Sequence, residues 1–297
     1  MSEAEEMADL FAELDSLECD TPRDVIVHAP FSYPGAKTKS IKHILPRLPR
    51  STVYVEPFGG SAAILLARKP SKLEVFNDRY AGVVAFYRCI KDPELLKKLC
   101  EWIDLTIHSR EDFIHCRDNW STTTDLVARA GMWYYMTMYS FAKLGRNFGR
   151  TTSTRAYVAR LHKYLPLFPQ VHERFKDVQV ENQDWLQCMR DYDGEDTVFY
   201  VDPPYFDSGS SDVYSNTFTR QDHIRLLNLI FELEGFVALS GYHNPIYDRF
   251  PWDDMFEWEI FTPIRSGATQ SNNHHSAELV KTGRDKTTEV LWIKEFS

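Results

Sequence analysis

The sequence lacks the features that define membrane, secreted and disulfide-bonded proteins. No apolar run approaches the roughly 18 residues that a membrane-spanning helix needs. The five cysteines are scattered without a CxxC pair, which predicts reduced thiols and excludes a disulfide framework or a zinc site. The first residues, MSEAEEMADLF, are acidic and lack the basic stretch of a secretory signal. Together these absences predict a cytoplasmic protein.

Acidic and basic residues are distributed very unevenly. The net charge is −9 over 297 residues, but residues 1–20 hold eight acids and no base. Residues 126–172 have no Asp or Glu and carry seven Lys and Arg side chains. A local positive field of this kind attracts polyanions, although a basic run can also be an ordinary solvated surface.

The order of predicted elements indicates an α/β fold. With 43% hydrophobic and 26% charged residues, the chain has globular composition, and its length fits one large α/β domain with an insertion or two domains. Residues 1–29 form an acidic leader that we expect to be poorly ordered. After it, strands alternate with helices, which is typical of a parallel sheet with crossover helices. The strands are predicted at 52–56, 73–77, 178–182, 197–202 and 236–241, and the helices near 79–90, 93–104 and 219–235.

The alternation of strands and helices is interrupted in two places, by a predicted insertion and by a predicted β-hairpin. The alternation stops over 108–175, which predicts an insertion between two parts of one domain, residues 30–107 and 176–297. The segments FEWEIFTP and TTEVLWIKEF predict a β-hairpin whose polar loop covers 264–286. For the helix at 219–235, Thr219 and Asp222 have capping-box spacing, and Gly235 is expected to be its C-terminal cap.

The motif VFYVDPPYF (198–206) carries the clearest chemical signal. An apolar strand delivers Asp202 at its carboxyl end, where open α/β sheets bind ligands. Pro203 and Pro204 remove two backbone donors, so that a carboxylate and nearby carbonyls remain as acceptors beside the Tyr205 ring. Acceptors next to a stacking ring suit a primary amine on a flat heterocycle. A proline-rich turn after a buried strand is the structural alternative.

Two weaker motifs precede it. In YVEPFGGSAAILL (54–66), Glu56 and the glycines after it form a strand-to-helix turn that allows a ligand close to the backbone. The spacing is not GxGxxG, so a dinucleotide is not favoured. Asp78 follows the next strand, where an acid contacts ribose hydroxyls in nucleotide-binding folds, although it could equally cap a helix. The third motif, FSYPGAKTK (31–39), is a turn with Lys37.

In this order and spacing, FSYPGAK, EPFGGSAA, NDRY and DPPYF resemble the Dam-type (D12 class) DNA adenine-N6 methyltransferases over roughly 30–297. The resemblance implies a Rossmann-like S-adenosylmethionine-dependent methyltransferase sheet, with 108–175 as a mostly helical target-recognition region that binds double-stranded DNA. It implies no metal ion.

The resemblance also implies roles for individual residues. The catalytic motif would be Asp202, Pro203, Pro204 and Tyr205. S-adenosylmethionine would be held by Tyr33, Lys37, Glu56, Phe58, Gly59, Asp78, Asp184, Trp185 and Asp202. In the basic segment, the candidates to contact DNA are Lys143, Arg146, Asn147, Arg150 and Arg155.

Two other readings of the sequence stay open. The same acceptor chemistry would serve another amino target, such as cytosine N4, RNA or a protein amide. A non-catalytic DNA-binding protein could also keep this fold. The basic segment and the motif order favour DNA adenine. In that case the base must leave the duplex to expose its amine, which costs a few kcal/mol of unstacking.

Overall fold

A computed structural model describes residues 27–31, 33, 35–140, 145–149, 161–205, 218–262 and 285–297. Within these residues, seven strands form one sheet in the order β3-β2-β1-β4-β5-β7-β6. The strands are β1 (Val53–Glu56), β2 (Leu73–Asn77), β3 (Gln179–Glu181), β4 (Thr197–Val201), β5 (Phe236–Gly241), β6 (Asp254–Thr262) and β7 (Asp285–Lys294).

The first five strands are parallel, and the last two form an antiparallel hairpin. Strand β7 inserts between β5 and β6 and runs antiparallel to β5, with Gly241 opposite Val290. Strands β4 and β5 are buried along their whole length, as expected of central strands covered by helices on both faces. The predicted parallel sheet and the predicted pairing of the last two strands are confirmed. Most of the predicted hairpin loop, residues 263–284, lies outside the described residues.

Helices connect the strands and cover the sheet. In chain order, the α-helices of the described residues are α1 (Ile41–Ile44), α2 (Ala63–Ala67), α3 (Ala81–Lys91), α4 (Pro93–Asp104), α5 (Arg110–Asn119), α6 (Leu126–Tyr139), α7 (Phe168–Phe175), α8 (Trp185–Asp191) and α9 (Arg220–Ile230). Helices α3 and α4 begin and end within two residues of the predicted bounds.

Helix α9 begins as predicted and ends earlier than predicted. Thr219 and Asp222 form a reciprocal capping box. Gly235 does not cap the helix, so that prediction was wrong: α9 ends at Ile230, and the N–H of the capping residue Phe231 donates to the Leu227 and Leu229 carbonyls. Gly235 instead leads into β5, where a Cβ atom would lie 2.7 Å from the Thr197 carbonyl oxygen. A larger residue would clash with the backbone there.

The helices between 108 and 175 pack into the same core as the sheet. Helix α6 lies against α3, and the Phe86 ring stacks on Tyr134 at 5.4 Å with edge contacts to Phe168. The aromatic run from Trp133 through Tyr139 is buried, so it forms part of the core and not an exposed stacking surface. The target-recognition role of 108–175 stays a prediction.

Candidate active site

Asp202 lies directly after β4, at the carboxyl edge of the parallel strands. One of its oxygens, Oδ2, accepts a hydrogen bond from the Lys37 ammonium at 2.7 Å, and Oδ1 accepts one from the Ser240 hydroxyl at 3.0 Å. Lys37 comes from the FSYPGAK turn, where Gly35 adopts φ +79° and its carbonyl accepts a second bond from Lys37 at 2.8 Å. The first and last motifs of the sequence therefore meet at one carboxylate.

Tyr205 completes this corner of the site. The Lys37 ammonium lies 4.8 Å from the centre of the Tyr205 ring, a cation–π contact. The Tyr242 ring meets Tyr205 edge-on at 4.5 Å. Burial raises the pKa of Tyr205 well above its ordinary value, so the hydroxyl stays protonated and donates. Pro203, between this ring and Asp202, is buried and has no N–H to compete for acceptors.

Glu289, which was not predicted from the sequence, accepts a hydrogen bond from the Tyr205 hydroxyl. Its carboxylate on β7 is 4% exposed and accepts from Tyr205 at 3.3 Å and from Ser40 at 2.6 Å. The indole N–H of Trp258 donates to the Ser40 oxygen at 3.2 Å. No motif signals these residues, because their proximity depends on β7 being inserted beside β5.

The glycine turn after β1 is fixed by steric and hydrogen-bond constraints. A Cβ atom at Gly59 would lie 2.1 Å from the Phe76 ring, so only glycine fits. Gly60 adopts φ +50°, and its N–H donates to Asp78 at 2.9 Å. The other Asp78 oxygen accepts from the Tyr80 N–H at 2.7 Å, and burial raises the pKa of Asp78. Asp78 thus ties the end of β2 to the turn after β1.

A second residue missed from the sequence, Asn77, joins three strand ends. Its side-chain amide is fully buried and donates to the carbonyls of Pro57 at 2.8 Å and Gln183 at 3.2 Å. Its Oδ1 accepts from the Gln183 N–H at 2.9 Å. The loops that follow β1, β2 and β3 are therefore held in one arrangement at the candidate site.

Glu56 ends β1 as a buried carboxyl group. It is 2% exposed and accepts a hydrogen bond from the Tyr54 hydroxyl at 2.8 Å. Burial raises the pKa of Glu56 to about 8, because the charged form loses its hydration. Glu56 is therefore mostly protonated near pH 7.

Aromatic rings meet near the carboxyl ends of β1 and β3. Phe58 stacks on Trp185 with 6.1 Å between ring centres, and Phe218 meets both rings edge-on. Asp184 is exposed and caps α8 by accepting from the Leu186 N–H at 3.1 Å. Phe218 was not among the predicted residues, since it lies apart from every motif.

The residues at this edge suit S-adenosylmethionine, the group that the resemblance implies. Carboxylates of Asp78, Asp184 and Asp202 follow β2, β3 and β4 at the same edge of one sheet, and acids at such positions accept from ribose hydroxyls and amino groups. The half-buried Phe58 ring, which stacks on the buried Trp185 ring, is an apolar surface of the kind that an adenine needs. Tyr33 lies against the glycine turn, with its Cδ1 3.7 Å from where a Gly60 Cβ atom would be.

Two of the predicted DNA contacts, Arg146 and Asn147, are exposed in a loop at the end of α6. Gly145 opens the loop at φ +70° and donates its N–H to Ser140 Oγ at 2.8 Å. Gly149 closes it with an N–H bond of 2.7 Å to the Tyr139 carbonyl. Lys143, Arg150 and Arg155 lie outside the described residues.

The described part of the chain has no group of three or more His, Cys, Asp or Glu side chains that could hold a metal ion. None of the helices in this part has the length and apolarity to cross a bilayer.

The strand order and the residues at the strand ends define the class of protein. The fold is that of the Rossmann-like S-adenosylmethionine-dependent methyltransferases. Residues 33–255, about three quarters of the chain, match the D12 class N6 adenine-specific DNA methyltransferase family. The chain belongs to this family, which confirms the resemblance found in the sequence motifs.

The individual proteins to which the chain is similar share low sequence identity with it. The chain is similar to Modification methylase LlaI of Lactococcus lactis subsp. lactis, with 24% identity over 193 residues, 60% of this chain and 29% of that protein. The matched part is thus under a third of that relative's length. A solved structure of a "putative RNA methyltransferase", PH1948 from Pyrococcus horikoshii, aligns over 100% of this chain and 98% of its own at 11% identity and a TM-score of 0.33. That score is too low to bear on the fold.

Proposed function

We propose that the chain transfers a methyl group from S-adenosylmethionine to the N6 amino group of an adenine flipped out of duplex DNA. Family membership supports the target class. The observation that carries the proposal is the Asp202 carboxylate, fixed by Lys37 and Ser240 beside the Tyr205 ring. A neighbouring Pro203 carbonyl supplies a second acceptor for the two hydrogens of an amine.

The acceptors address the main chemical difficulty of the reaction. The N6 lone pair is delocalised into the adenine ring, which makes the amine a poor nucleophile. Hydrogen bonds from N6 to Asp202 and to the Pro203 carbonyl favour a more tetrahedral nitrogen and stabilise its developing positive charge. When bound, S-adenosylmethionine would supply an electrophilic methyl group, and its sulfur would keep the electron pair of the carbon–sulfur bond that breaks. The amine gains that methyl and releases one proton to water, so the base stays neutral.

The residues also suit a flipped base. Removing adenine from the stack costs a few kcal/mol, which stacking on the Tyr205 ring offsets in part. The edge-on contact with Tyr242 and the hydroxyl bond to Glu289 fix the plane of the Tyr205 ring before the base arrives. A preset ring loses little freedom when a base stacks on it.

The duplex is proposed to lie against the segment 108–175. Arg146 and Asn147 are exposed on a loop that is fixed to the end of α6 by the N–H groups of Gly145 and Gly149, and both have donors that suit base edges or phosphates. We propose Lys143, Arg150 and Arg155 as further contacts from the same basic segment.

A methyl-transfer assay with labelled cofactor tests the proposal. Random-sequence duplex DNA, single-stranded RNA and an unrelated protein would serve as substrates, with mass spectrometry of the product nucleosides. We expect N6-methyladenine from duplex DNA alone. N4-methylcytosine, or transfer to RNA or protein, would contradict the target. Cofactor binding without any transfer would favour the non-catalytic alternative.

A further inference from the structure

Strand β7 contributes one buried carboxylate to a run of apolar residues. Glu289 is followed by Val290, Leu291 and Trp292, each fully buried, and is itself only 4% exposed. Burying a carboxylate is costly unless charge and hydrogen bonds compensate it. An apolar residue would fill this position at less cost, so the carboxylate calls for a specific explanation.

The partners of Glu289 all adjoin the candidate active site. Oε2 accepts from Ser40, three residues after Lys37, and Oε1 accepts from the Tyr205 hydroxyl. The same Oε1 lies 3.9 Å from the Lys37 ammonium, which is bonded to Asp202 at 2.7 Å. One buried cation therefore lies between two carboxylates, only one of which belongs to the catalytic motif.

This arrangement bears on the acceptor strength of Asp202. An ammonium that faces a single carboxylate withdraws electron density from that carboxylate alone. The negative charge of Glu289, within 4 Å of the ammonium, partly offsets the positive field of Lys37 at Asp202, because the interactions of close charges are strong where water is excluded. Asp202 then keeps more acceptor capacity for an amine. Glu289 also holds the hydroxyl of Tyr205, and so sets the plane of its ring.

We infer that Glu289 is a positioning residue of the active site, which holds the Lys37 ammonium and the Tyr205 ring in the geometry that a target amine needs. The inference rests on the proposed function. Glu289 acts through Asp202 and Tyr205 and does not itself contact the base. The competing view is that Glu289 only anchors β7 to the Ser40 turn.

The variant Glu289→Gln tests the inference, since it keeps the shape of the side chain and removes the charge. Glu259→Gln is the matched control: it makes the same change at an exposed residue of the neighbouring strand β6. For each protein, single-turnover methyl transfer, cofactor affinity and thermal unfolding would be measured. A duplex with 2-aminopurine in place of the target adenine would report stacking of the flipped base.

We expect Glu289→Gln to slow single-turnover transfer roughly 10- to 100-fold, as small misplacements of reacting groups do. Cofactor affinity should change less than about twofold. The 2-aminopurine signal should rise, because a loosened Tyr205 ring quenches it less. Glu259→Gln should match the wild type. If Glu289→Gln transfers at the wild-type rate, or loses only thermal stability, the positioning role is overturned.

A second variant distinguishes a positioning role from a loss of folding. Tyr205→Phe keeps the ring and removes only the hydroxyl bonded to Glu289, and we expect it to slow transfer and raise the 2-aminopurine signal. Because the hydroxyl acts only with Glu289, the double variant should be no slower than Glu289→Gln alone. A wild-type rate and signal for Tyr205→Phe would overturn the inference. If the wild type itself methylates no adenine duplex, the proposed function fails; activity in both wild type and Glu289→Gln removes only the role of Glu289.

Discussion

At the residue scale, the Asp202 carboxylate, which we propose to be catalytic, is held by two donors and can still accept further hydrogen bonds. A carboxylate offers about four lone-pair positions, and Lys37 and Ser240 occupy one on each oxygen. The remaining positions are available to a substrate amine.

The variant Asp202→Ala is expected to abolish methyl transfer while cofactor binding stays largely intact. Under the proposed function its carboxylate faces the target amine more than the cofactor, and losing one such electrostatic contact typically slows catalysis by at least about 100- to 1000-fold, which would leave no readily detectable transfer. Transfer would be measured by single turnover and cofactor binding by calorimetry. Near-normal turnover would contradict the mechanism.

The pH dependence of stability should report on Glu56. Its pKa is about 8 in the folded chain and near 4.5 in its ordinary environment. The folded state therefore binds a proton that the unfolded state has released between these values. The contribution of Glu56 to the unfolding free energy should fall as pH rises from about 5 to 8, by about 1.4 kcal/mol per unit of pKa shift at most.

Urea denaturation at several pH values would check this sign. Glu56→Gln cannot titrate, so its stability relative to the wild type should increase across that range. Glu195→Gln, an exposed carboxylate after α8, should leave the pH profile unchanged. A Glu56→Gln profile parallel to that of the wild type would show that Glu56 is already ionised in the folded protein.

At the scale of elements, strand positions could be predicted well because β-branched and aromatic runs are bounded by turn residues. Strands β2 and β5 match their predicted limits, LEVFN and FVALSG. The end of α9 was predicted wrongly, because Gly235 indicated a C-terminal cap and the helix ends at Ile230. This glycine is required by its close approach to the Thr197 carbonyl oxygen, a contact with another part of the sheet that local sequence does not reveal.

Site residues that directly follow a strand could be predicted from the sequence. Site residues that are brought in by the pairing of strands could not. Motif order alone places Asp78 and Asp202 at one edge of a parallel sheet. Ser240 and Glu289 reach Asp202 and Tyr205 only through the pairing of β4 with β5 and of β5 with β7. A hairpin can be read from sequence, but the position at which it joins a sheet cannot.

The loop that follows α6 carries a prediction of its own. Arg146→Ala should relax preference at one base position and cost about 1–3 kcal/mol there, if its guanidinium reads a base edge. Arg129 is the matched control: it also lies in the basic segment, but its guanidinium donates to the Thr123 carbonyl at 2.6 Å. Binding to cognate and scrambled duplexes over a salt series would be compared.

If Arg146 contacts a phosphate and not a base edge, Arg146→Ala should give a different result. It should weaken binding to all duplexes similarly and lower the slope of log affinity against log salt by about one unit. If neither affinity, slope nor site preference changes, this loop is a solvated surface and DNA binds elsewhere.

At the scale of the whole molecule, the charge of the chain is concentrated in its acidic leader. Removing residues 1–20, which hold eight acids and no base, should tighten non-specific DNA binding at low salt and leave the chemical step unchanged. Filter binding at two salt concentrations and single-turnover transfer would check both parts. Equal affinity of the full-length and shortened proteins would show that the leader does not repel DNA.

The bond between Ser40 and Glu289 spans 249 positions of the chain, and that between Lys37 and Asp202 spans 165. During synthesis, the first five strands leave the ribosome while the open side of β5 still lacks its neighbour, because β7 is made last of the seven. A nascent chain therefore contains the residues that follow β1 to β4 well before Glu289 can reach Tyr205. Contacts this distant form slowly. Newly made protein should gain methylating competence only after translation has passed β7.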